Sequence, residues 1–308
     1  MQTLQTPQKY YDANGYYIFR KLIPDTLIDQ LMERYQAEIL PSDNYFFRQS
    51  STRWEKNKIS ESGYCQGSFL NIHDLEKYPE FSEISKKIFC LPEVRAALTQ
   101  LTESPNHNLM QSMLFDQNTA TPAHQDWYYL DSMPNGHMMA GWFALEDIHE
   151  EAGRFFVLPK SNHVTVHLNE DEKSSKATYE RKLKEYTDAH QDEIYAPALQ
   201  KGDVLFWNSR TIHGALPTIN PQYSRKSLTA HYLPSQYQSG SLYAKVPSEI
   251  DYGEYEGMKY RVIPTRQRHF SIKTKLETDF WAYAWDRPYL ARPALAVKKV
   301  VKKLKGKE

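Results

Sequence analysis

Two short stretches of this sequence contain the side chains that one metal ion would need. Thr121-Pro122-Ala123-His124-Gln125-Asp126-Trp127 sets an imidazole and a carboxylate two residues apart. Residues i and i+2 of a strand point to one face, so this spacing predicts two ligands from a single strand. Two His and one carboxylate on one face of an octahedron suit iron(II) in oxygenases and leave positions open for cosubstrate and oxygen. A His-x-Asp pair alone is weak, because such short motifs arise by chance, and it needs a distant His to complete it. Trp207-Asn208-Ser209-Arg210-Thr211-Ile212-His213-Gly214 supplies one just past the apolar stretch Val204-Leu205-Phe206, which follows the turn Lys201-Gly202-Asp203. Gly214 admits close approach of backbone or ligand.

Arg225, twelve residues beyond His213 and leading into a further strand, could reach back into the same cavity. Its planar fork suits a bidentate grip on a carboxylate. The distal carboxylate of 2-oxoglutarate is such a group, and its keto-acid end would chelate the metal. His137, His163 and His231 lack a second ligand at suitable spacing and read as structural, with His231 a neighbour of the cosubstrate. Trp127, Tyr128 and Tyr129 follow the His-x-Asp motif and are candidates for the substrate pocket, or else pack the sheet rim.

Short strands must carry these residues. Strands are predicted at 15–19, 108–117, 141–146, 154–158, 204–207 and 227–233, separated by turns such as Pro134-Asn135-Gly136. Helices are predicted from Pro24, with Leu27, Ile28, Leu31 and Tyr35 on one face, and over 79–90 and 92–101, each opened by proline. The fold class expected is mainly β with flanking α-helices, a two-sheet jelly roll. No repeat or long linker divides the chain, so residues 1–308 read as a single domain. Residues 168–196, dense in Glu, Lys and Asp, read as a charged insertion, either plain surface or a lid over a pocket mouth. Residues 292–308 read as a basic amphipathic helix, with Val297, Val300, Val301 and Leu304 on one face among six lysines. Docking on its own domain is the reading preferred for it, and contact with acidic lipid or an acidic partner is the other.

Composition narrows the classes. Hydrophobic residues at 40% and charged residues at 25% fit a globular chain with a real core. Lys+Arg and Asp+Glu stand equal at 38, so no overall field favours nucleic acid, and no basic groove is visible for it. Cys65 and Cys90 form no CxxC pair and suit a reducing cytosol, hence an expected cytoplasmic location. No apolar run has the ~20 residues of a membrane-spanning helix, and Met1–Lys9 has no secretion-signal pattern. Oligomeric state is not legible.

Taken together, His124-Gln125-Asp126, Gly141-Trp142, the stretch from Gly153 to His163, Gly202-Asp203, His213-Gly214 and Arg225-Lys226 make the chain resemble the phytanoyl-CoA dioxygenase family of Fe(II)/2-oxoglutarate-dependent oxygenases. The resemblance runs from about Gly15 to Pro234. It implies a double-stranded β-helix of the cupin-like kind. It also implies iron ligation by His124, Asp126 and His213, and cosubstrate binding by Arg225. Trp142 would border the cosubstrate, and Gln111 and Met113 on the strand before the motif are candidates for a further contact. The implied cofactors are Fe(II), 2-oxoglutarate and O2, and the implied reaction is hydroxylation of an unactivated C–H bond of a small metabolite or carrier-linked substrate, with release of succinate and CO2. A carboxylate at position 126 favours hydroxylation, desaturation or ring chemistry over halogenation. The family's usual Pro-Gly-Ser-His turn is here Pro159-Lys160-Ser161-Asn162-His163, and the insertion before His213 is this chain's own; both bear on substrate identity. The rival readings are a cupin-like metal enzyme that uses no oxygen, which would not need Arg225, and a non-catalytic small-molecule-binding module on the same fold.

Overall fold

A computed structural model describes residues 5–165, 176–242 and 244–284 of the chain. Helix α1 (Pro7–Asn14) is one that hydrophobic spacing does not predict, although its ends are marked: Thr6 accepts from the Lys9 N–H, and Gly15 takes the left-handed φ of 80° that stops the helix. Strand β1 (Tyr16–Phe19) and helix α2 (Asp25–Arg34) follow, and α2 continues as a wider π turn through Tyr35–Ile39. Next come β2 (Phe46–Phe47), β3 (Trp54–Glu55), β4 (Ser68–Leu70), α3 (Pro79–Phe89) and α4 (Pro92–Thr102). The central strands are β5 (His107–Phe115), β6 (Asp131–Met133), β7 (Met139–Ala144) and β8 (Phe155–Val157). After helix α5 (Lys176–Ala189) come β9 (Val204–Asn208), β10 (His213–Ala215), β11 (Ser227–Pro234), β12 (Gln238–Gly240), β13 (Tyr252–Tyr255) and β14 (Met258–Arg261). Helices α6 (Thr265–Arg268) and α7 (Ile272–Ala284) close the described part. The predicted helix from Pro24, the two later proline-opened helices and the six predicted strands all appear, each within a few residues of its expected bounds.

The main sheet has the order β1-β9-β7-β11-β5-β14-β13, with β4 also on the β5 edge. It is mixed, since β14 runs parallel to β5 while the other pairs are antiparallel. A two-stranded piece, β8 with β10, lies over one face, and among the described residues no barrel closes.

Period-2 alternation divides the sheet residues between two cores. Met139 and Phe143 of β7, Val204 and Phe206 of β9, and Leu228, Ala230 and Tyr232 of β11 point to the helices, where they pack with Leu27, Ile28, Leu31, Ile88, Phe89 and Leu98. Ala140, Trp142 and Ala144, with Leu205 and Trp207, point the other way and pack against Phe155 and Val157 of β8. The cross-strand register puts Trp142, Thr229 and Met113 in one row and Ala140, His231 and Gln111 in the next. The second face is therefore where β11 and β5 present polar side chains.

Of the charged insertion, residues 176–189 form α5. Residues 166–175 and the basic stretch 292–308 lie outside the described residues. Among the described residues no helix is long and apolar enough to cross a membrane. Cys65 and Cys90 are both free and buried, and burial pushes the Cys90 thiol up to about 12.

Candidate metal centre

One donor atom from each of His124, Asp126 and His213 can be chosen so that all lie within 4.8 Å of one another. The two histidines arrive on segments locked backbone to backbone. The His124 N–H donates to the His213 carbonyl at 2.9 Å, and the His213 N–H donates back at 3.0 Å. Their rings consequently stand 4.2 Å apart, centroid to centroid. The strand expected under His-x-Asp is instead a single antiparallel bridge at His124, followed by a 3-10 turn over Asp126–Tyr128. The turn forms because Trp127 N–H bonds the Ser209 carbonyl, while Leu130 N–H and Tyr129 N–H fold back on the Asp126 carbonyl. Gln125 between them is extended, with φ −120° and ψ 132°, so the same-face relation of residues 124 and 126 survives locally.

Both imidazoles are oriented for ligation. His124 Nδ1 lies 2.9 Å from the Pro122 carbonyl and His213 Nδ1 lies 2.9 Å from the Thr211 carbonyl. A carbonyl only accepts, so each Nδ1 carries the proton and each Nε2 lone pair is free. Both Nε2 atoms face the same carboxylate oxygen, Asp126 Oδ1, at 3.6 Å and 3.5 Å. The other oxygen, Oδ2, accepts from Trp207 Nε1 at 2.9 Å and lies 3.4 Å from His231 Nε2. Burial pushes the His213 imidazole down to about 3, which keeps it neutral and able to bind metal.

Arg225 precedes β11 by two residues and shares the face of Thr229 and His231. It is buried, and its Nη1 donates to the Gly153 carbonyl at 3.1 Å. Its Nε has no partner, and among the described residues no carboxylate lies within ion-pair distance of it. Burial pushes the guanidinium down to about 10. A buried cation without a counter-charge is costly, and an incoming carboxylate would supply that charge. An aromatic wall connects the guanidinium to the metal site. Arg225 Cζ is 5.9 Å from the Trp142 ring, Trp142 stacks on Phe155 at 5.8 Å, and Phe155 is 5.7 Å from the His213 ring.

The remaining predicted residues divide. Trp142 lies beside the Arg225 guanidinium. Gln111 and Met113 share that sheet face by register, and Met113 is buried among Phe47, Trp54, Leu70 and Phe115. Trp127 packs beneath Arg210, whose Cζ is 4.8 Å from its ring. Tyr128 stacks on Tyr179 of α5 at 4.3 Å, and the hydroxyl of the exposed Tyr129 lies 3.4 Å from Glu180 of α5. The two tyrosines thus join the metal loop to the insertion helix.

Two participants escaped the sequence reading. Trp207 holds Asp126 Oδ2, and nothing in its spacing announces this, because the bond depends on where β9 passes the 3-10 turn. Gln125, between two of the predicted ligands, accepts from Trp127 Nε1 at 3.0 Å and from Tyr179 Oη at 3.0 Å, and donates to the Arg210 carbonyl. Its place inside the motif was the available signal.

Residues 11–227 match the sequence profile of the family described as phytanoyl-CoA dioxygenase (PhyH). Comparison with curated proteins finds no match. Among solved structures, the chain is similar to the non-heme alpha-ketoglutarate-dependent epimerase SnoN from nogalamycin biosynthesis, with a TM-score of 0.56 and 15% identity over 83% of this chain and 96% of that one. The alpha-ketoglutarate-dependent carbocyclase SnoK from nogalamycin biosynthesis gives a TM-score of 0.54 and 17% identity over 80% and 93%. EctD from S. alaskensis gives 0.53 and 17% over 80% and 85%. At these identities the likeness is one of fold.

Proposed function

We propose that this chain, which belongs to the phytanoyl-CoA dioxygenase family, is an iron(II)- and 2-oxoglutarate-dependent oxygenase that hydroxylates an unactivated C–H bond of a small metabolite or carrier-linked substrate. The observation that carries this reading is the meeting of His124, Asp126 and His213 at one point, on the same sheet face as a buried arginine that lacks a carboxylate. His124 Nε2, His213 Nε2 and Asp126 Oδ1 would hold the iron. Arg225 would grip the distal carboxylate of 2-oxoglutarate, with Trp142 beside it and Gln111 and Met113 on the same wall. Iron and 2-oxoglutarate, when bound, would supply the oxidising chemistry with O2 as the oxidant, one oxygen atom going to succinate as CO2 is released and the other to the substrate.

The protein's share is placement and exclusion of water. Trp207 and His231 hold the second oxygen of Asp126, so the first is presented toward the two imidazoles. Trp142, Phe155 and Met113 make the wall apolar, which keeps water from the guanidinium and strengthens its hold on an anion. His124 has the most exposed side chain of the three, at 25%, and so marks the side from which substrate approaches, with Tyr128, Tyr129 and Trp127 on the neighbouring turn. Two similar structures are named as an epimerase and a carbocyclase. Product analysis must therefore look for unchanged mass or loss of two hydrogens as well as gain of one oxygen.

The test is a screen of metabolite pools with enzyme, iron(II), 2-oxoglutarate and oxygen, scored by substrate-stimulated succinate. Arg225→Ala should raise the KM for 2-oxoglutarate by about 100-fold, as removal of one partner of a buried charge pair does. Absence of succinate from the unaltered chain with every pool would favour the metal enzyme that uses no oxygen, and an unchanged KM for 2-oxoglutarate in Arg225→Ala would remove Arg225 as its anchor.

A further inference from the structure

We infer that Glu146 is a positioning residue for the cosubstrate: its carboxylate clamps the start of β11 and so keeps the Arg225 guanidinium inside the site. The inference rests on the reading of Arg225 as the anchor of 2-oxoglutarate. Arg225 lies outside β11, whose first residue, Ser227, pairs with Ala144 on one side and Phe115 on the other. A buried guanidinium without a counter-charge is drawn toward water. A strand end, where local opening costs least, is where the chain would let it go. Residues 224–226 therefore need fastening if the guanidinium is to stand ready for a carboxylate.

Both edges are fastened. On the β5 edge, the Arg225 N–H donates to the Asp116 carbonyl at 3.1 Å. Asp116 is itself fixed by the Cys65 N–H, which donates to its Oδ2 at 2.7 Å. On the β7 edge, the Leu145 N–H donates to the Lys226 carbonyl at 3.1 Å. One residue further on, a side chain takes over from the backbone. Glu146 Oε1 accepts the Lys226 N–H at 2.7 Å, and Oε2 accepts the Ser224 hydroxyl at 2.9 Å. One carboxylate thus grips the residues on either side of Arg225. Oε2 also lies 3.3 Å from Lys226 Nζ. That ion pair is part-exposed and contributes less than the charge-assisted bond to the backbone N–H. Among the described residues Glu146 makes no ion pair with Arg225 itself, so it acts on the guanidinium through the backbone.

The full chain would be loaded with iron(II) without oxygen and titrated with 2-oxoglutarate by calorimetry, and amide hydrogen exchange at residues 224–227 would be followed separately. Glu146→Ala should weaken 2-oxoglutarate binding by about tenfold, because the fraction of molecules with Arg225 in place falls. Exchange at the Arg225 and Lys226 amides should quicken by about the same factor, with iron(II) affinity unchanged. Glu146→Gln retains an acceptor for the Lys226 N–H and a partner for Ser224, and should stay within about threefold of the unaltered chain. Ser224→Ala removes one of the bonds from the other side and should weaken binding by about threefold; it carries the test if Glu146→Ala does not fold. In an Arg225→Ala background, Glu146→Ala should cause no further loss, since the two act as one unit. Undiminished affinity in Glu146→Ala or, where that chain does not fold, in Ser224→Ala overturns the proposal, and so does an equal loss with and without Arg225. Absence of 2-oxoglutarate binding by the unaltered chain would instead overturn the oxygenase reading, and this role with it.

Discussion

Asp126 uses its two oxygens differently, and that division can be tested. Oδ1 faces both imidazoles, while Oδ2 is committed to the Trp207 indole N–H at 2.9 Å. Trp207→Phe keeps most of the ring and removes only the donor, leaving the carboxylate free to rotate. Loss of such an outer partner typically costs 10- to 100-fold in metal affinity, so about a tenfold weaker iron(II) affinity is expected in an anaerobic titration. His213→Ala removes a donor atom itself and should abolish stoichiometric iron binding by the same measurement. His231 neighbours Oδ2 with its own Nδ1 buried and unpartnered. It therefore stands beside Asp126, on the sheet face of Thr229 and Trp142.

At the level of elements, the sheet and the insertion meet the site in opposite ways. Strand β7 has Trp142 on the site face and must approach β9 closely on the other. A Cβ on Gly141 would lie 2.8 Å from the Phe206 ring. Gly141→Ala should cost about 1–3 kcal/mol of stability by overpacking, read as a lower denaturant midpoint with an unchanged slope. Helix α5 touches the site through a buried hydroxyl, Tyr179 to Gln125, a stacked pair, Tyr179 on Tyr128, and the exposed contact of Tyr129 with Glu180. Tyr179→Phe keeps the stack and loses the hydrogen bond, about 1 kcal/mol. Faster limited proteolysis within residues 176–189, with little change in global melting, is the expected outcome. A lid made of this helix would in addition change the KM for substrate.

For the whole molecule, acid stability follows from histidines buried far from the metal centre. His73 sits between α3 and the sheet, with Nδ1 2.6 Å from Ser112 Oγ and Nε2 3.2 Å from the Arg261 carbonyl. Burial pushes it and His107 down from 6.5 to about 4. Between these values the unfolded chain binds protons that the folded chain refuses. Stability is thus complete above pH 6.5 and is lost as pH falls toward 4, by at most roughly 3 kcal/mol for each group. Melting temperature should fall across that window, and His73→Gln should flatten the slope. A melting temperature independent of pH between 6.5 and 4 would contradict the burial assigned to both.

The sequence alone determined the parts that depend on residue type and short spacing. His124, Asp126, His213 and Arg225 are chemically distinctive, and the three potential ligands do converge. Strands β7, β9 and β11 were legible as short runs bounded by turn residues, and Pro79 and Pro92 marked helix starts because proline fits the first turn. What those rules cannot carry, the tertiary structure decided. Asp126 sits on a 3-10 turn instead of a strand because Ser209, more than 80 residues away in the chain, takes the Trp127 N–H. Trp207 becomes the partner of Asp126, and Gln125 that of Tyr179, through contacts between distant segments. Helix α1 lies beyond the reach of hydrophobic periodicity because it buries only Tyr11. Ile272, Leu276, Phe280 and Tyr283 of α7 show the same limit: spacing groups them on one side of a helix, and only packing decides that this side is exposed.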